Sequence, residues 1–90
     1  MEPISLYEEC VLHNSRMKNI ICCIEETSEL TKVLTKNLRM SPKFSMDKLK
    51  EEIAHVLLMC NVLIAEYGIS DEEISRLQQD AVRRMKEDEE

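Results

Sequence analysis

The sequence has few of the residues that build sheets, barrels and tight turns. Its 90 residues include no tryptophan, two tyrosines, one phenylalanine, one glycine and two prolines. Sandwiches and barrels need many turns and many aromatic or β-branched strand residues, so this composition argues against them. The hydrophobic residues, 43% of the chain, are mainly Leu, Ile, Val and Met, which suit packed helices. The sequence therefore predicts an all-α fold.

Positive charge is also scarce. Only 12 Lys and Arg residues stand against 18 Asp and Glu residues, and the formal net charge is -6. Phosphate backbones and anionic lipids repel an acidic chain, so we expect no nucleic-acid partner and no membrane partner. The longest apolar stretch, residues 56–65, is interrupted by Asn61 and has about half the length of a membrane span. We expect one domain over residues 1–90, ending in a charged, frayed tail at 86–90.

The four cysteines form no C-x-x-C motif, and the chain starts without the basic residues and apolar run of a secretory signal. Both features favour a reducing, cytoplasmic location, with the cysteines acting as small buried hydrophobic residues. A zinc site is the alternative, because Cys10 lies three residues before His13. No second pair at zinc-ligand spacing completes such a site.

Four helices are predicted from the apolar period and from capping residues. They cover about residues 4–12, 16–38, 46–67 and 71–85. Pro42 and Ser45 mark a turn after the second helix, so the second and third helices form an antiparallel hairpin. Gly68 suits the left-handed position that ends the third helix. Ser70 and Glu73 have the spacing of a capping box that begins the fourth.

The third helix is apolar nearly all the way round between residues 53 and 65. A helix of this kind is buried on every side. Because a chain of 90 residues covers only part of it, the remaining face predicts a subunit interface. We therefore expect a homodimer or a tetramer with a four-helix-bundle-like fold.

Two groups of metal-ligating residues lie on faces of the hairpin that are predicted to meet. Glu26 and Glu29 share one face of the second helix, and Glu52 and His55 share one face of the third. Apolar residues lie above and below them on the same helix faces. A carboxylate cluster without nearby cations repels itself unless a divalent metal binds the oxygens. The spacing predicts a Mg²⁺ or Mn²⁺ site, although glutamates at this spacing are also typical of an ordinary solvated helix.

The same two groups resemble the motif pair of a known family. Residues 25–29 read EETSE, and residues 51–55 read EEIAH. These motifs resemble the E-E-x-x-E and E-E-x-x-D pair of the MazG-like all-α nucleotide pyrophosphohydrolases, above all the short bacterial and phage-type members. The resemblance extends from about residue 6 to residue 74. It implies metal-dependent hydrolysis of a nucleoside triphosphate to the monophosphate and pyrophosphate.

The resemblance also implies roles for individual residues. Glu25 and Glu26 would be catalytic, Glu25 as a ligand or a base. The implied metal ligands are Glu26, Glu29, Glu52 and His55. Lys32, Lys36 and Arg39 follow the first motif and are candidate phosphate contacts, although they also complement the end of the helix dipole. Phe44, in the loop, is the aromatic residue least committed to a core and the candidate for stacking on a base.

His55 departs from the family pattern, which has aspartate at this position. An imidazole weakens a Mg²⁺ site but suits Mn²⁺, Zn²⁺ or Ni²⁺. Three interpretations remain open: His55 ligates a softer metal, it is a pH-dependent neighbour of the ligands, or it marks a protein that has lost catalysis and kept the fold.

Two functions from different classes therefore compete. The first is a metal-dependent pyrophosphohydrolase, favoured by the acids Glu25, Glu26, Glu29 and Glu52. The second is a non-catalytic helical oligomer that acts as a binding or regulatory module, favoured by His55. A purely structural protein has no need for four acids beside an apolar helix, so the enzyme is the preferred hypothesis.

Overall fold

The computed structural model describes residues 5–88, which fold into four α-helices without a strand. The helices are α1 (Leu6–His13), α2 (Arg16–Leu38), α3 (Met46–Tyr67) and α4 (Asp71–Asp88). The all-α prediction is confirmed, and the predicted bounds of α2 and α3 are those observed. Residues 1–4 and 89–90 lie outside the described part of the chain, including the predicted start of α1 at residue 4. None of the described helices is long and apolar enough to cross a bilayer.

Serine side chains begin the first three helices. The hydroxyl oxygens of Ser5, Ser15 and Ser45 accept hydrogen bonds from backbone N–H groups three residues later, at 3.1 to 3.2 Å. Each bond satisfies a backbone donor that the first helical turn leaves without a partner. At the end of α3, Gly68 has a φ of 64°. Its left-handed conformation lets Ile69 N–H donate to the Ile64 carbonyl at 3.0 Å and closes the helix.

α2 and α3 form the antiparallel hairpin at the centre of the molecule, and α1 packs mainly against α3. The buried apolar residues are Val33, Met59 and Val62, of which Val62 is fully enclosed. At the open end of the hairpin, Arg16 Nε donates to Glu66 Oε1 at 3.1 Å. This contact joins the start of α2 to the end of α3. The hairpin is therefore closed by a loop at one end and by an ion pair at the other.

α4 stands apart from the other three helices. Within residues 5–88 it packs against none of them and contributes no buried residue. It also continues to Asp88, three residues beyond the predicted end at residue 85, because no glycine or proline interrupts it. Residues 86–88 are thus helical where a frayed tail was expected. The packed body of one chain has three helices, which differs from the expected four-helix arrangement.

The N-terminus of α4 should be sensitive to acid through Glu73. Ser70 N–H donates to Glu73 Oε2 at 2.9 Å and Glu73 N–H donates to Ser70 Oγ at 3.1 Å, as the predicted capping box requires. The Ser70 hydroxyl also donates to Glu73 Oε2 at 3.1 Å. The backbone hydrogen bond, reinforced by the hydroxyl, lowers the pKa of Glu73 below its ordinary 4.5. A lowered folded-state pKa means that the cap stabilises α4 above the unfolded-state pKa and is lost as the pH falls through the folded-state value.

The measurement is hydrogen exchange and chemical shift of the Ser70 amide, followed by NMR from about pH 6 to about pH 3. We expect the amide to lose protection in acid. Glu73→Gln is the matched control, because a neutral amide oxygen still accepts the bond but has no proton to gain. If the parent and the variant respond identically to acid, the carboxylate is not what holds the cap.

Candidate metal centre

Three metal-ligating side chains meet between α2 and α3. Each of Glu26, Glu52 and His55 offers one donor atom, and these atoms all lie within 4.8 Å of one another. Glu52 and His55 lie three residues apart on α3 and share a face, and Glu26 reaches them from α2 because the hairpin is antiparallel. His55 Nδ1 and Glu26 Oε2 are 2.9 Å apart. The predicted convergence of the two motifs is thus observed for these three residues.

Glu52 is the buried member of the group. Its side chain is only 3% exposed. Oε1 accepts a hydrogen bond from Lys48 Nζ at 3.1 Å, whereas the buried Oε2 has no hydrogen-bond partner among the described residues. Burying a carboxylate oxygen without a partner costs free energy. A hydrogen-bond donor or a cation at this atom would remove that cost.

Glu52 and Lys48 each stabilise the charged form of the other. The hydrogen bond from Lys48 is the main cause that lowers the pKa of Glu52, although burial opposes it. The same bond, together with the charges of Glu51 and Glu52, raises the pKa of Lys48. Glu52 is therefore ionised at neutral pH and available to a cation through its free oxygen.

A pocket opens beside the group. Cys22, Glu26, His55, Leu58 and Met59 line a cavity of about 250 Å³. Three of these five side chains, those of Cys22, Leu58 and Met59, are apolar or weakly polar. The cavity is open to solvent. A cation held by the three ligands would therefore keep coordination positions accessible to water or a substrate.

The donor set fits a divalent metal. Two carboxylates and one imidazole supply three protein ligands, as in many catalytic sites that leave the remaining positions to water and substrate. The nitrogen donor favours Mn²⁺ or another borderline metal over Mg²⁺, which prefers oxygen. The structure supports a site for a metal ion without fixing its identity.

The other acids of the two motifs lie outside this group. Glu29 forms an ion pair with Lys32 at 3.2 Å, and Glu25 is exposed. The premise that the acids lack nearby cations is wrong, because Lys48 contacts Glu52 and Lys32 contacts Glu29. Lys48 was missed as a residue of the site. Its position four residues before Glu52, on the same face of α3, was the signal that could have found it.

Two of the candidate phosphate contacts are distant from the group. Lys36 lies ten residues after Glu26 on α2, a rise of roughly 15 Å, and Arg39 lies further still. Both are exposed. Lys32 and Lys48 are the cations closest to the acids, so they are better placed than Lys36 and Arg39 to meet a phosphate at this site. Phe44 is half-buried in the loop after α2.

The alternative zinc site does not assemble. Across residues 5–88, Glu26, Glu52 and His55 form the one set of three or more His, Cys, Asp or Glu donors that meet closely enough to hold an ion. Cys10 and His13 belong to no such set. Comparison with known proteins gave no matching family model, no similar curated protein and no similar solved structure. Function is therefore inferred from the residues of this site and from the motif resemblance.

Proposed function

We propose that the protein binds a divalent metal through Glu26, Glu52 and His55 and hydrolyses a nucleoside triphosphate to the monophosphate and pyrophosphate. The observation that carries the proposal is the buried, unpartnered Oε2 of Glu52 beside two further donors. The similarity of residues 25–29 and 51–55 to the MazG-like motif pair adds the substrate class and the reaction.

Different residues of the chain would have different roles in such a reaction. When bound, a divalent cation lowers the pKa of water and offsets the charge of the phosphates. Glu26, Glu52 and His55 would hold the cation, and Glu26 and His55 also line the adjacent pocket. One water adds to the α-phosphorus, the bond to the pyrophosphate leaving group breaks, and the proton of the water passes to a carboxylate. Glu25, next to Glu26 and exposed, is the proposed acceptor of that proton.

In this proposal Lys32 and Lys48 also contact the phosphates of the substrate. Lys32 forms an ion pair with Glu29, and Lys48 forms one with Glu52. A triphosphate that enters the site offers both cations additional negative partners. Their charge would then stabilise the pyrophosphate that leaves.

The second candidate function is a non-catalytic metal-binding or nucleotide-binding module. It is favoured by Glu29, which the family motif makes a ligand but which here pairs with Lys32. The presence of His55 in place of aspartate also favours the non-catalytic module. A site with fewer charged ligands than the family pattern would bind a metal nucleotide and turn it over slowly or not at all.

Pyrophosphate release tests the proposal. The protein is incubated with a panel of ribo- and deoxynucleoside triphosphates in Mg²⁺ and separately in Mn²⁺. We expect pyrophosphate and the monophosphate in equal amounts, and a loss of about 100-fold or more in Glu52→Gln, because the amide removes one charged ligand. Glu51→Gln is the matched control, since Glu51 is exposed and outside the group. Nucleotide binding without turnover under every condition would favour the second candidate.

A further inference from the structure

Two cysteines lie at nearly the same level on the two helices of the hairpin. Cys23 is on α2 and Cys60 is on α3. The ion pair between Arg16 and Glu66 sets the register of these helices at the open end of the hairpin. Cys23 lies seven residues after Arg16, and Cys60 lies six residues before Glu66. Along the helices the two cysteines are therefore about 10 Å and about 9 Å from this ion pair.

The contact between Glu26 and His55 gives a similar register from the other side. Cys23 lies three residues before Glu26, and Cys60 lies five residues after His55, which are rises of about 4.5 Å and about 7.5 Å. Cys23 is also seven residues from Arg16 and three from Glu26, the spacing of residues on one helix face. Cys23 therefore belongs to the side of α2 that contacts α3.

The two thiols are neighbours but differ in exposure. Cys23 is half-buried, and Cys60 is exposed. Burial raises the pKa of Cys23, and the neighbouring Cys60 thiol raises it further. Cys23 is therefore a protonated thiol at neutral pH, and Cys60 is the member of the pair that a molecule in solution can reach.

The spacing of packed helices permits a bond between residues placed in this way. A disulfide needs its two Cα atoms within about 7 Å of each other. Helix axes pack about 8 to 10 Å apart, and each Cα atom lies about 2.3 Å from its own axis, so Cα atoms on neighbouring sides are closer than the axes. A cross-link between α2 and α3 at this level needs side-chain rotation and at most a small shift of one helix.

We propose that Cys23 and Cys60 form a reversible intramolecular disulfide, with a low-molecular-weight disulfide such as oxidised glutathione as the oxidant. The Cys60 sulfur attacks one sulfur of the oxidant, the S–S bond of the oxidant breaks, and one glutathione leaves. The Cys23 sulfur then attacks the Cys60 sulfur of this mixed disulfide and releases the second glutathione. The two protons of the cysteines pass to the two departing thiolates. Two protein thiols thus lose two electrons, and one glutathione disulfide gains them.

The bond would make the stability of the hairpin depend on the thiol redox state around the protein. It joins α2 to α3 within one chain and so restricts the unfolded state. Reduced glutathione in excess reverses both steps, so the bond forms only when the surrounding thiols become oxidised. The inference goes beyond the proposed function and does not depend on it, because neither cysteine belongs to the group of Glu26, Glu52 and His55.

Peptide mapping of the full chain after incubation with oxidised glutathione tests the proposal. Trypsin cleaves after Lys and Arg, so Cys23 falls in the peptide of residues 19–32 and Cys60 in the peptide of residues 51–76. We expect the two peptides to be joined in protein that has the mass of one chain under denaturing conditions. The thermal midpoint should rise by about 10 °C. Excess reduced thiol should separate the peptides and restore the original midpoint.

Variants identify the bonded residues, because Cys22 and Cys23 fall in the same peptide. Cys22→Ser is the matched control and should cross-link as the parent does. Cys23→Ser should instead retain glutathione on Cys60, because the second thiol is absent. Cys60→Ser changes an exposed position, so it should keep the helical circular dichroism of the parent and form no cross-link.

Three results would overturn the proposal. The first is a parent that forms no cross-link and keeps glutathione on Cys60. The second is a cross-link that persists in Cys23→Ser, because its partner would then be Cys22. The third is a cross-link that joins two chains, which would show that the two thiols of one chain do not reach each other.

Discussion

We expect Glu26→Gln to remove the thermal stabilisation that Mn²⁺ would give to the parent protein at the proposed site. The amide takes a charged ligand from the group and replaces the carboxylate that contacts His55 at 2.9 Å. We expect the affinity for Mn²⁺ to fall by about 100-fold or more. For the parent at a hundredfold excess of Mn²⁺ over its dissociation constant, binding adds about 2.7 kcal/mol to stability, and the variant should lose nearly all of it. Calorimetric titration and thermal unfolding with and without Mn²⁺ measure both quantities.

Glu29→Gln is the control that separates the observed site from the family motif. Glu29 lies on the same helix and undergoes the same chemical change, but it pairs with Lys32 outside the group. It should therefore bind Mn²⁺ within a few-fold of the parent. If Glu29→Gln loses binding and Glu26→Gln keeps it, the group of Glu26, Glu52 and His55 is not the metal centre.

We expect His55→Asp to shift the metal preference of the proposed site from Mn²⁺ toward Mg²⁺. A third carboxylate replaces a neutral nitrogen donor, and Mg²⁺ gains a hard, charged ligand. Without metal the variant should melt at a lower temperature, because it loses the contact to Glu26 and brings a third acid close to Glu26 and Glu52. With Mg²⁺ it should recover, and its Mg²⁺ affinity should exceed that of the parent by about tenfold.

His55→Asn distinguishes the charge from the shape of the new side chain. Asparagine resembles aspartate in size but carries no charge, so this variant should gain no Mg²⁺ affinity. Equal Mg²⁺ affinities in His55→Asp and His55→Asn would show that the residue at position 55 does not contact the ion.

The hairpin was predictable because its ends depend on local chemistry. Ser45 begins α3 and Gly68 ends it through hydrogen bonds that involve neighbours in the sequence, so the sequence alone places them. The position of α4 was not predictable in this way. Its capping box is visible in the sequence, but whether a helix packs on its own chain depends on distant contacts. An amphipathic pattern shows that a face is buried and leaves open what covers it.

The site was predictable in part for a similar reason. Helical spacing placed Glu52 and His55 on one face of α3, and the hairpin brought Glu26 to them. Spacing alone did not decide which lysine pairs with which acid, because a lysine on a helix is within reach of acids both three and four residues away. Lys48 pairs with Glu52 and Lys32 pairs with Glu29, so a lysine partner does not distinguish the two acids. Glu52 differs from Glu29 because it is buried and lies close to Glu26 and His55.

The short connection at residues 39–45 between α2 and α3 sets an order of assembly. A short loop closes at small entropic cost, and contacts between neighbouring helices form in microseconds to milliseconds. The hairpin therefore forms at a rate independent of protein concentration, and Glu26 meets Glu52 and His55 at that stage. The three side chains of the candidate metal centre therefore come together as soon as the hairpin closes, at any protein concentration.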